Sequence, residues 1–523
     1  LLPILPLPKA SKVNGLIKSL FLFIFYPSLV IAGLIMGFSS KNSLKVFIIM
    51  GMLFSCNRDV EKADVSLPIS LHAPLDEAFT SMQFCKGGWP QRQWWDFFED
   101  SQLSTLIEKA IRQNPSLKKA QAKWVSSNQY AKVVRSKLYP NLSGNYTEDW
   151  TYFGKNGFVL GFYPLPPSLS PPQSANILDL TLNFSYEFDF WGKNRMRYQA
   201  ALGKVMTELA ESIQAELILS SMVAFSYFEY QTHQTILGLK NKILNDLLAS
   251  ESLVENRNKI GLDNLFSDLD IQEKILNIRQ ELVDVKKNIE IDLVVLKNLV
   301  GEGPDSLISV EYTPLLMEKT LEVPENVGLE LLGRRPDLIA MIWDVESKSK
   351  EIGVAQTEFY PNITLGANGG FESLQFNTLF SGDSLTGSLV PAVSLPLFTG
   401  GRLQGNLDAK TAKFNEAVYA YNDGLLNAVK EVSSELYQLK ALFDQQNIQK
   451  KKILNRQEKQ QLTSLRCEKG LDDLLNFYLS RIETLQQQAE NAQIENYRLA
   501  SMVRLIKSLG GGFMTPELPD SAP

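Results

Sequence analysis

Leu178–Phe190 reads LDLTLNFSYEFDF. Every second residue is apolar: Leu178, Leu180, Leu182, Phe184, Tyr186, Phe188 and Phe190. Every residue between is polar: Asp179, Thr181, Asn183, Ser185, Glu187 and Asp189. Successive side chains of a strand point to opposite faces, so this stretch has one apolar and one polar face. At ~3.3 Å per residue it reaches ~40 Å, enough to cross a bilayer with tilt. The carboxylates on its polar face suit a wet lumen. A long edge strand of a soluble sandwich would carry the same alternation, so the strand alone leaves both readings open.

The rest of the chain decides between them by repeating itself once. Asn114-Pro115 opens a helical stretch that ends at Tyr139-Pro140-Asn141, and Arg335-Pro336-Asp337 opens another that ends at Tyr360-Pro361-Asn362. The two lie 221 residues apart. Further on the offset becomes 209. Trp191-Gly192-Lys193 matches Gly400-Gly401-Arg402, and Arg257 with Gly261-Leu262-Asp263 matches Arg466 with Gly470-Leu471-Asp472. Gly301 matches Gly510 at the same spacing. The change of offset places twelve extra residues between Pro140 and Gly192, where the proline-rich Tyr163–Ser174 reads as a loop. Each repeat is therefore helix, strand, loop, strand, long helix, tight turn, long helix.

Three more strands fit this plan. In 141–152, Leu142, Gly144, Tyr146, Trp150 and Tyr152 alternate with polar residues. In 363–371, Ile363, Leu365, Ala367, Gly369 and Phe371 alternate with smaller or polar ones. The fourth strand is expected over 388–398, where Pro391 and Pro396 interrupt it. Trp150, Tyr152, Phe153 and Trp191 suit either an interfacial girdle or ordinary sheet packing.

Residues 195–259 contain no proline and only Gly203 and Gly238. A helix of that length spans ~95 Å at ~1.5 Å per residue. After Gly261, the residues Ile271, Ile275, Ile278, Leu282, Val285 and Ile289 follow a 4-3-4-3-4 spacing, the seam of a coiled coil. Ile482, Leu485, Ala489, Ala492, Leu499 and Val503 follow the same grid, with Asn496 at the remaining place. Four strands are too few to close a barrel, whose practical minimum is about eight. The apolar strand faces thus call for further copies of the chain.

Composition bounds the function. The chain has 523 residues and a formal charge of −6. Residues 1–55 hold five lysines and no acidic residue, so the remainder carries −11 (−6 less 5). An acidic body argues against nucleic acid as a partner. Two histidines, His72 and His233, and three cysteines, Cys56, Cys85 and Cys467, give neither a metal cluster nor a disulfide framework. No phosphate loop or nucleophile motif is present, so no catalytic, cofactor or metal residue is assigned and no enzyme is expected.

The amino terminus reads as an export signal. Lys41 and Lys45 precede the apolar run Val46–Phe54, and Ser55-Cys56 follows. This resembles the lipobox of bacterial lipoproteins, which implies cleavage before Cys56 and acylation of that cysteine. Phe54 is bulkier than the usual residue there. A buried free cysteine at the end of a membrane helix is the other reading. Residues 1–40, which include an earlier apolar run, read as an over-long start, with a true membrane segment as the other reading. Asn57, in place of aspartate, is compatible with the outer membrane.

Taken in order, Cys56, WWDFFEDSQL (Trp94–Leu103), Asn114-Pro115, FDFWGKNR (Phe188–Arg195), Arg334–Leu338, GVAQTEFYPNITL (Gly353–Leu365), PLFTGGRL (Pro396–Leu403) and LGGGF (Leu509–Phe513) resemble the TolC-like outer membrane efflux proteins, in their lipoprotein OprM/NodT branch. The resemblance spans most of the chain after Cys56. It implies an α+β membrane protein with four transmembrane strands per chain, a 12-stranded barrel as a homotrimer, and coiled-coil helices forming a periplasmic tunnel. It implies an outer-membrane exit duct that passes drugs, metals or similar small molecules. Its partners would be a periplasmic adaptor, an inner-membrane pump and outer-membrane lipids, with no cofactor. The organisation expected is a leader (1–55), a lipidated segment (56–100), a first repeat (101–310), a second repeat (311–511) and a tail (512–523). The alternative is a structural or adhesive surface lipoprotein on a coiled-coil stalk, which would not need two amphipathic hairpins at matching places.

The family places the helix-to-helix turns at the periplasmic tip, where the tunnel narrows. Here these are the turns at Gly261 and Gly470. A ring of carboxylates at a constriction favours cations. Asp263 and Asp472, just after the glycines, read as helix caps. Asp268 and Asp270 are the better pore candidates, with Asp472 and Asp473 nearby. Relatives often carry an aspartate where this chain has Leu479, so Leu475 and Leu479 are expected to form an apolar constriction instead. Arg257 and Arg466 are expected in links that hold the tip closed, with plain surface solvation as the competing reading.

Overall fold

The computed structural model describes residues 62–65, 85–154, 174–262, 265–307, 309–314, 322–324 and 331–514. The leader, Cys56, Asp263, residues 515–523 and most of the Tyr163–Ser174 loop lie outside them.

A two-residue strand β1 (Cys85–Lys86) precedes the first repeat, which gives α1 (Ser101–Gln113), α2 (Pro115–Arg135), β2 (Asn141–Tyr152), β3 (Ser174–Phe188), α3 (Lys193–Lys259) and α4 (Leu265–Val300). The second repeat gives β4 (Glu322–Val323), α5 (Leu331–Arg334), α6 (Pro336–Thr357), β5 (Asn362–Ser373), β6 (Leu385–Ser394), α7 (Arg402–Glu468) and α8 (Leu474–Ser508). The two long helices α3 and α7 have 67 residues each, and both begin and end 209 residues apart. The short β1 and β4, which pair in parallel, had no sequence signal.

The four long strands form one antiparallel sheet in the order β2-β3-β5-β6. Each repeat supplies a hairpin, and β3 pairs with β5 to join them. The two offsets hold residue by residue. Asn141 lies opposite Ser185 in one hairpin, and Asn362 lies opposite Ser394 in the other.

Three strand boundaries differ from those expected. β3 starts at Ser174 and ends at Phe188 rather than running from Leu178 to Phe190. It stops because Asp189 leaves the ladder to cap α3: its two carboxylate oxygens accept from the Asn194 and Arg195 backbone N–H groups, each at 2.9 Å. Asp189 is thus spent on the first turn of α3 rather than on the polar strand face. The third strand runs Asn362–Ser373, wider than 363–371. The fourth runs Leu385–Ser394 rather than 388–398. Pro391 lies within β6, opposite Leu365 of β5, and the strand ends before Pro396. The apolar face of β3 carries a row of rings: Tyr186 meets Phe188 edge-on at 4.9 Å, and Phe188 stacks on Phe190 at 5.6 Å.

Each strand hairpin passes directly into its long helix through a left-handed glycine, Gly192 (φ 76°) or Gly401 (φ 85°). Between the repeats, Trp191 stacks on Tyr360 at 5.1 Å and donates its indole N–H to the Pro361 carbonyl at 2.8 Å.

Below the sheet, α3 packs on α4 within its repeat and on α8 of the other; α7 packs on α8. α2 packs on α3, and α6 packs on both α3 and α7. All six seam residues, Ile271, Ile275, Ile278, Leu282, Val285 and Ile289, are buried. On α8 Ile482, Leu485, Asn496, Leu499 and Val503 are buried, while Ala489 and Ala492 are half-buried. Burial of each such aliphatic contributes about 1.5–3 kcal/mol.

The main core lies midway along the long helices. Trp94, Trp95, Leu103 and Ile107 close over Tyr227 and Phe228 of α3, with Leu425 of α7 and Val503 of α8 in the same cluster. Tyr227 donates to Asp100 at 2.6 Å, and burial followed by that carboxylate pushes the phenol up to about 12. A second cluster near the turns holds Ile243, Leu247, Val254, Ile271, Ile275, Ile278, Ile482 and Leu485.

Two equivalent tethers hold the hairpin ends. Asn114 caps α2 by accepting from Ser116 and Leu117, and its amide donates to the Leu299 carbonyl at 2.8 Å. At the matching place Arg335, 6% exposed, donates to the Ser508 carbonyl at 3.1 Å, to Asp337 at 2.7 Å and to Glu431 at 2.8 Å. Gly301 and Gly510 end α4 and α8 with positive φ. A side chain on Gly510 would collide with the Arg334 carbonyl, and one on Gly301 would press on Gln113 and Asn114. The bare Cα in both repeats is what lets the helix end dock.

Candidate functional site: the helix-turn tip

The two tip turns are built alike. Gly261 donates to the Asn258 carbonyl (3.0 Å) and Leu262 to that of Arg257 (2.9 Å). Gly470 donates to Cys467 (3.0 Å) and Leu471 to Arg466 (2.8 Å). These paired bonds, closed by a left-handed glycine, are the Schellman end of a helix. Nothing crowds either glycine, so its φ of 75° or 68° is the reason for its place.

Beyond the second turn, the cap falls one residue later than expected. Asp473 is the N-cap of α8, accepting from the Leu475 N–H at 3.2 Å. Asp472 instead braces the turn. It accepts from the Asp473 N–H (2.9 Å), the Asn476 amide (2.8 Å) and the Arg466 Nε (3.1 Å).

The two arginines therefore do different things. Arg466 closes on its own turn. Arg257, on α3, forms an ion pair with Asp473 of the second repeat. Cys467 donates its thiol to the Asp473 carbonyl at 3.2 Å, beside both pairs.

On the first-repeat side, Asp270 is exposed and paired with Lys274 one turn later, at 2.5 Å. Asp268 is half-buried: one oxygen accepts from Gln272 at 3.4 Å, and the other is buried without a hydrogen-bond partner. Leu475 and Leu479 are half-buried and pack against the tip cluster of the chain's own helices. Only the outward part of each remains for any constriction.

A second link between repeats went unnoticed in the sequence. Arg481 of α8 reaches Asp246 of α3 at 3.1 Å, and Asp246 is 3% exposed. The available signal was an acidic residue in phase with Ile243, Leu247 and Val254. Burial raises the Asp246 carboxyl above its ordinary value, against the pull of Arg481. Among the described residues, no group of three or more His, Cys, Asp or Glu is placed to hold a metal ion. No described helix is long and apolar enough to cross a membrane.

The chain is 27% identical over 435 residues to the multidrug resistance outer membrane protein MdtP of Escherichia coli strain K12, covering 83% of this chain and 88% of that protein. Its fold matches the crystal structure of the outer membrane protein VceC from Vibrio cholerae, with 29% identity, a TM-score of 0.71, and 81% and 100% of the two chains covered. It also matches the CmeC outer membrane channel of Campylobacter jejuni, with 22% identity, a TM-score of 0.76, and 88% and 95% covered. The model of the outer membrane efflux protein family matches residues 106–302 and 328–511, one segment per repeat. With a duplicated hairpin-and-helix plan and a family match over both halves, the chain belongs to the outer membrane efflux proteins.

Proposed function

We propose that this protein is the outer-membrane exit duct of a tripartite efflux system. Three copies form a 12-stranded barrel continued by a helical tunnel in the periplasm, joined there by a periplasmic adaptor and an inner-membrane pump. The duct is passive, has no active site and passes small molecules such as drugs or metals that the pump selects. The observation that carries this reading is the join itself. An amphipathic four-stranded sheet with two unpaired edges runs straight into two 67-residue helices. Open edges are not tolerated in lipid, so the sheet requires further copies.

Residues 1–55 act as the leader, 56–100 as the lipidated segment, 101–310 and 311–511 as the two repeats, and 512–523 as a tail. Cys56 carries the lipid. Lys62 lies over the Phe414 ring at 5.6 Å, and Ala63 donates to Asn415 at 2.9 Å. Asn422 then donates to the Asp64 carbonyl at 3.1 Å, so the chain runs along α7 away from the sheet.

At the tip, Asp268 and Asp270 supply the acidic ring, with the outward edges of Leu475 and Leu479 as the apolar constriction. The Arg257–Asp473 and Arg466–Asp472 pairs hold it closed. The test is ion conductance of the purified protein in planar bilayers, together with deletion of its gene. Conductance and raised sensitivity to drugs or metals are expected. No conductance, with unchanged sensitivity in cells that keep the pump, would reject the duct.

A further inference from the structure

At the sheet end of the helices, far from the tip, α2, α3, α6 and α7 together line one cavity of about 560 Å³. Its charged lining is lopsided. Lys137, Arg197, Lys204, Lys348 and Lys410 stand against Glu351 and Glu358, five cations to two carboxylates. This excess sits in a chain whose formal charge is −6.

Both carboxylates are already engaged. Glu351 accepts from Lys410 at 2.7 Å and lies 3.7 Å from Lys348, and Glu358 accepts from the Asn406 amide at 3.2 Å. Burial alone would raise the Glu351 carboxyl, but the Lys410 hydrogen bond and the charges of Lys348, Lys410 and Lys413 hold it below its ordinary value. Lys204 pairs with Glu208 of its own helix at 3.0 Å. Lys137 and Arg197 are different. The Arg197 guanidinium donates to the Asn194 side chain at 3.0 Å, and among the described residues no carboxylate pairs with it or with the Lys137 ammonium. One and two turns before Lys137, Val133 and Tyr130 also line the cavity and are 60% and 65% exposed. Unneutralised cations thus stand beside open apolar surface.

The cavity opens on the polar side of the sheet. Glu358 lines both it and a smaller cavity of about 290 Å³ at the strand ends. The smaller one takes in Glu187 of β3, Asn362 of β5 and Ser394 of β6. Glu187 lies opposite Thr364, two residues from Asn362, which lies opposite Ser394, so all three belong to the polar face. On α7, Arg402 lines the smaller cavity, while Asn406 and Lys410, one and two turns on, line the larger. In a closed barrel the polar face looks into the lumen, so the cationic cavity belongs to the tunnel wall.

We propose that this cavity is an anion-binding site of the tunnel, for small molecules that carry a sulfonate, carboxylate or phosphate on an apolar body. Lys137 and Arg197 hold the anionic group, and Tyr130 and Val133 take the apolar body. A cleft lined by one sign of charge concentrates ions of the other sign. Its volume suits a drug-sized molecule. The inference rests on the duct reading above and adds a class of cargo to it.

The probe is naphthalenesulfonate, with uncharged naphthalenemethanol as its control. Each is added to single channels of the full-length protein in bilayers of phosphatidylcholine. The sulfonate is expected to interrupt the current of the parent more strongly than the alcohol does. Lys137→Gln combined with Arg197→Gln is expected to weaken the sulfonate block several-fold and leave the effect of the alcohol unchanged. Lys132→Gln, on the other side of α2, is expected to behave as the parent. Glu351→Gln frees Lys348 and Lys410 and is expected to strengthen the block, which keeps the site testable should the double variant fail to fold. A conducting channel that the sulfonate does not block, or blocks equally in all variants, would overturn the anion site and leave the duct standing. No conductance in the parent would reject the duct and the site with it. A phospholipid headgroup offers the same chemistry. Phosphatidylglycerol that co-purifies with the parent but not with the double variant, without block by the sulfonate, would assign the cavity to lipid and overturn its place in the tunnel.

Discussion

Arg257 of the first repeat pairs with Asp473, the residue that caps α8 in the second. One carboxylate therefore starts a helix and ties two hairpins together at the tip. Its neighbours Arg466 and Asp472 close only their own turn.

Removing the cross-repeat link should loosen the tip while leaving the fold intact. Both side chains are partly exposed, so each pair contributes no more than about 1 kcal/mol. Arg257→Ala is expected to raise the open fraction of the channel several-fold, with Arg466→Ala giving a smaller change. Single-channel recording checks this, and equal conductance for Arg257→Ala and the parent would remove the link from the gate.

Asp270 should set the ionic preference of the constriction, with Lys274 tempering it. Asp270→Asn is expected to lower cation preference and Lys274→Gln to raise it. Reversal potentials under a salt gradient give the answer, and an unmoved potential in both variants would take Asp270 out of the filter.

The two hairpin tethers should differ in strength because one is a cap and the other a buried charge. Asn114→Ala is expected to destabilise by about 1 kcal/mol, as the loss of a cap does. Arg335→Met is expected to remove about 2 kcal/mol, since it takes a charged donor from the Ser508 carbonyl while Asp337 and Glu431 stay partly exposed to water. Burial alone would lower the Arg335 guanidinium, but the two carboxylates hold it above its ordinary value. Thermal unfolding in detergent ranks the two; an equal loss would mean that the charge on Arg335 adds nothing to its contact with Ser508.

Asp246 and Glu208, both buried on α3, should respond to pH with opposite signs. Burial holds Asp246 above its ordinary value, so the folded protein binds that proton more tightly than the unfolded chain. Stability then falls as pH rises through the raised value. Asp246→Asn is expected to raise the melting temperature at neutral pH and change it little in acid. Burial also pushes Glu208 up, but hydrogen bonds from Lys123 and Lys204 outweigh it and hold the carboxyl low. Its contribution is present above the ordinary carboxylate value and is lost as pH falls through the lowered one. Glu208→Gln is expected to lower the melting temperature at neutral pH, and the gap should close in acid. Parallel responses of the two variants would contradict this assignment.

The duplication, the strand faces and the long helices were all legible in the residues. Alternation with period two and the lack of breakers act locally, and a repeated offset needs no structure to be seen. The positions of Gly261 and Gly470 were equally plain, because only a left-handed turn calls for them. Strand ends were less legible. Asp189 continues the alternation, yet the first turn of α3 offered it two backbone N–H groups, and capping won over the ladder. The tip lay further still from the sequence. Asp472 and Asp473 are adjacent and chemically alike, and only the approach of α3 to α8 decided which one Arg257 would meet. Asp246 and Arg481 stand far apart in the chain, so their pairing exists only once the repeats have packed. Local periodicity determined what each segment would be, while contacts between the two repeats decided which charged groups would act together.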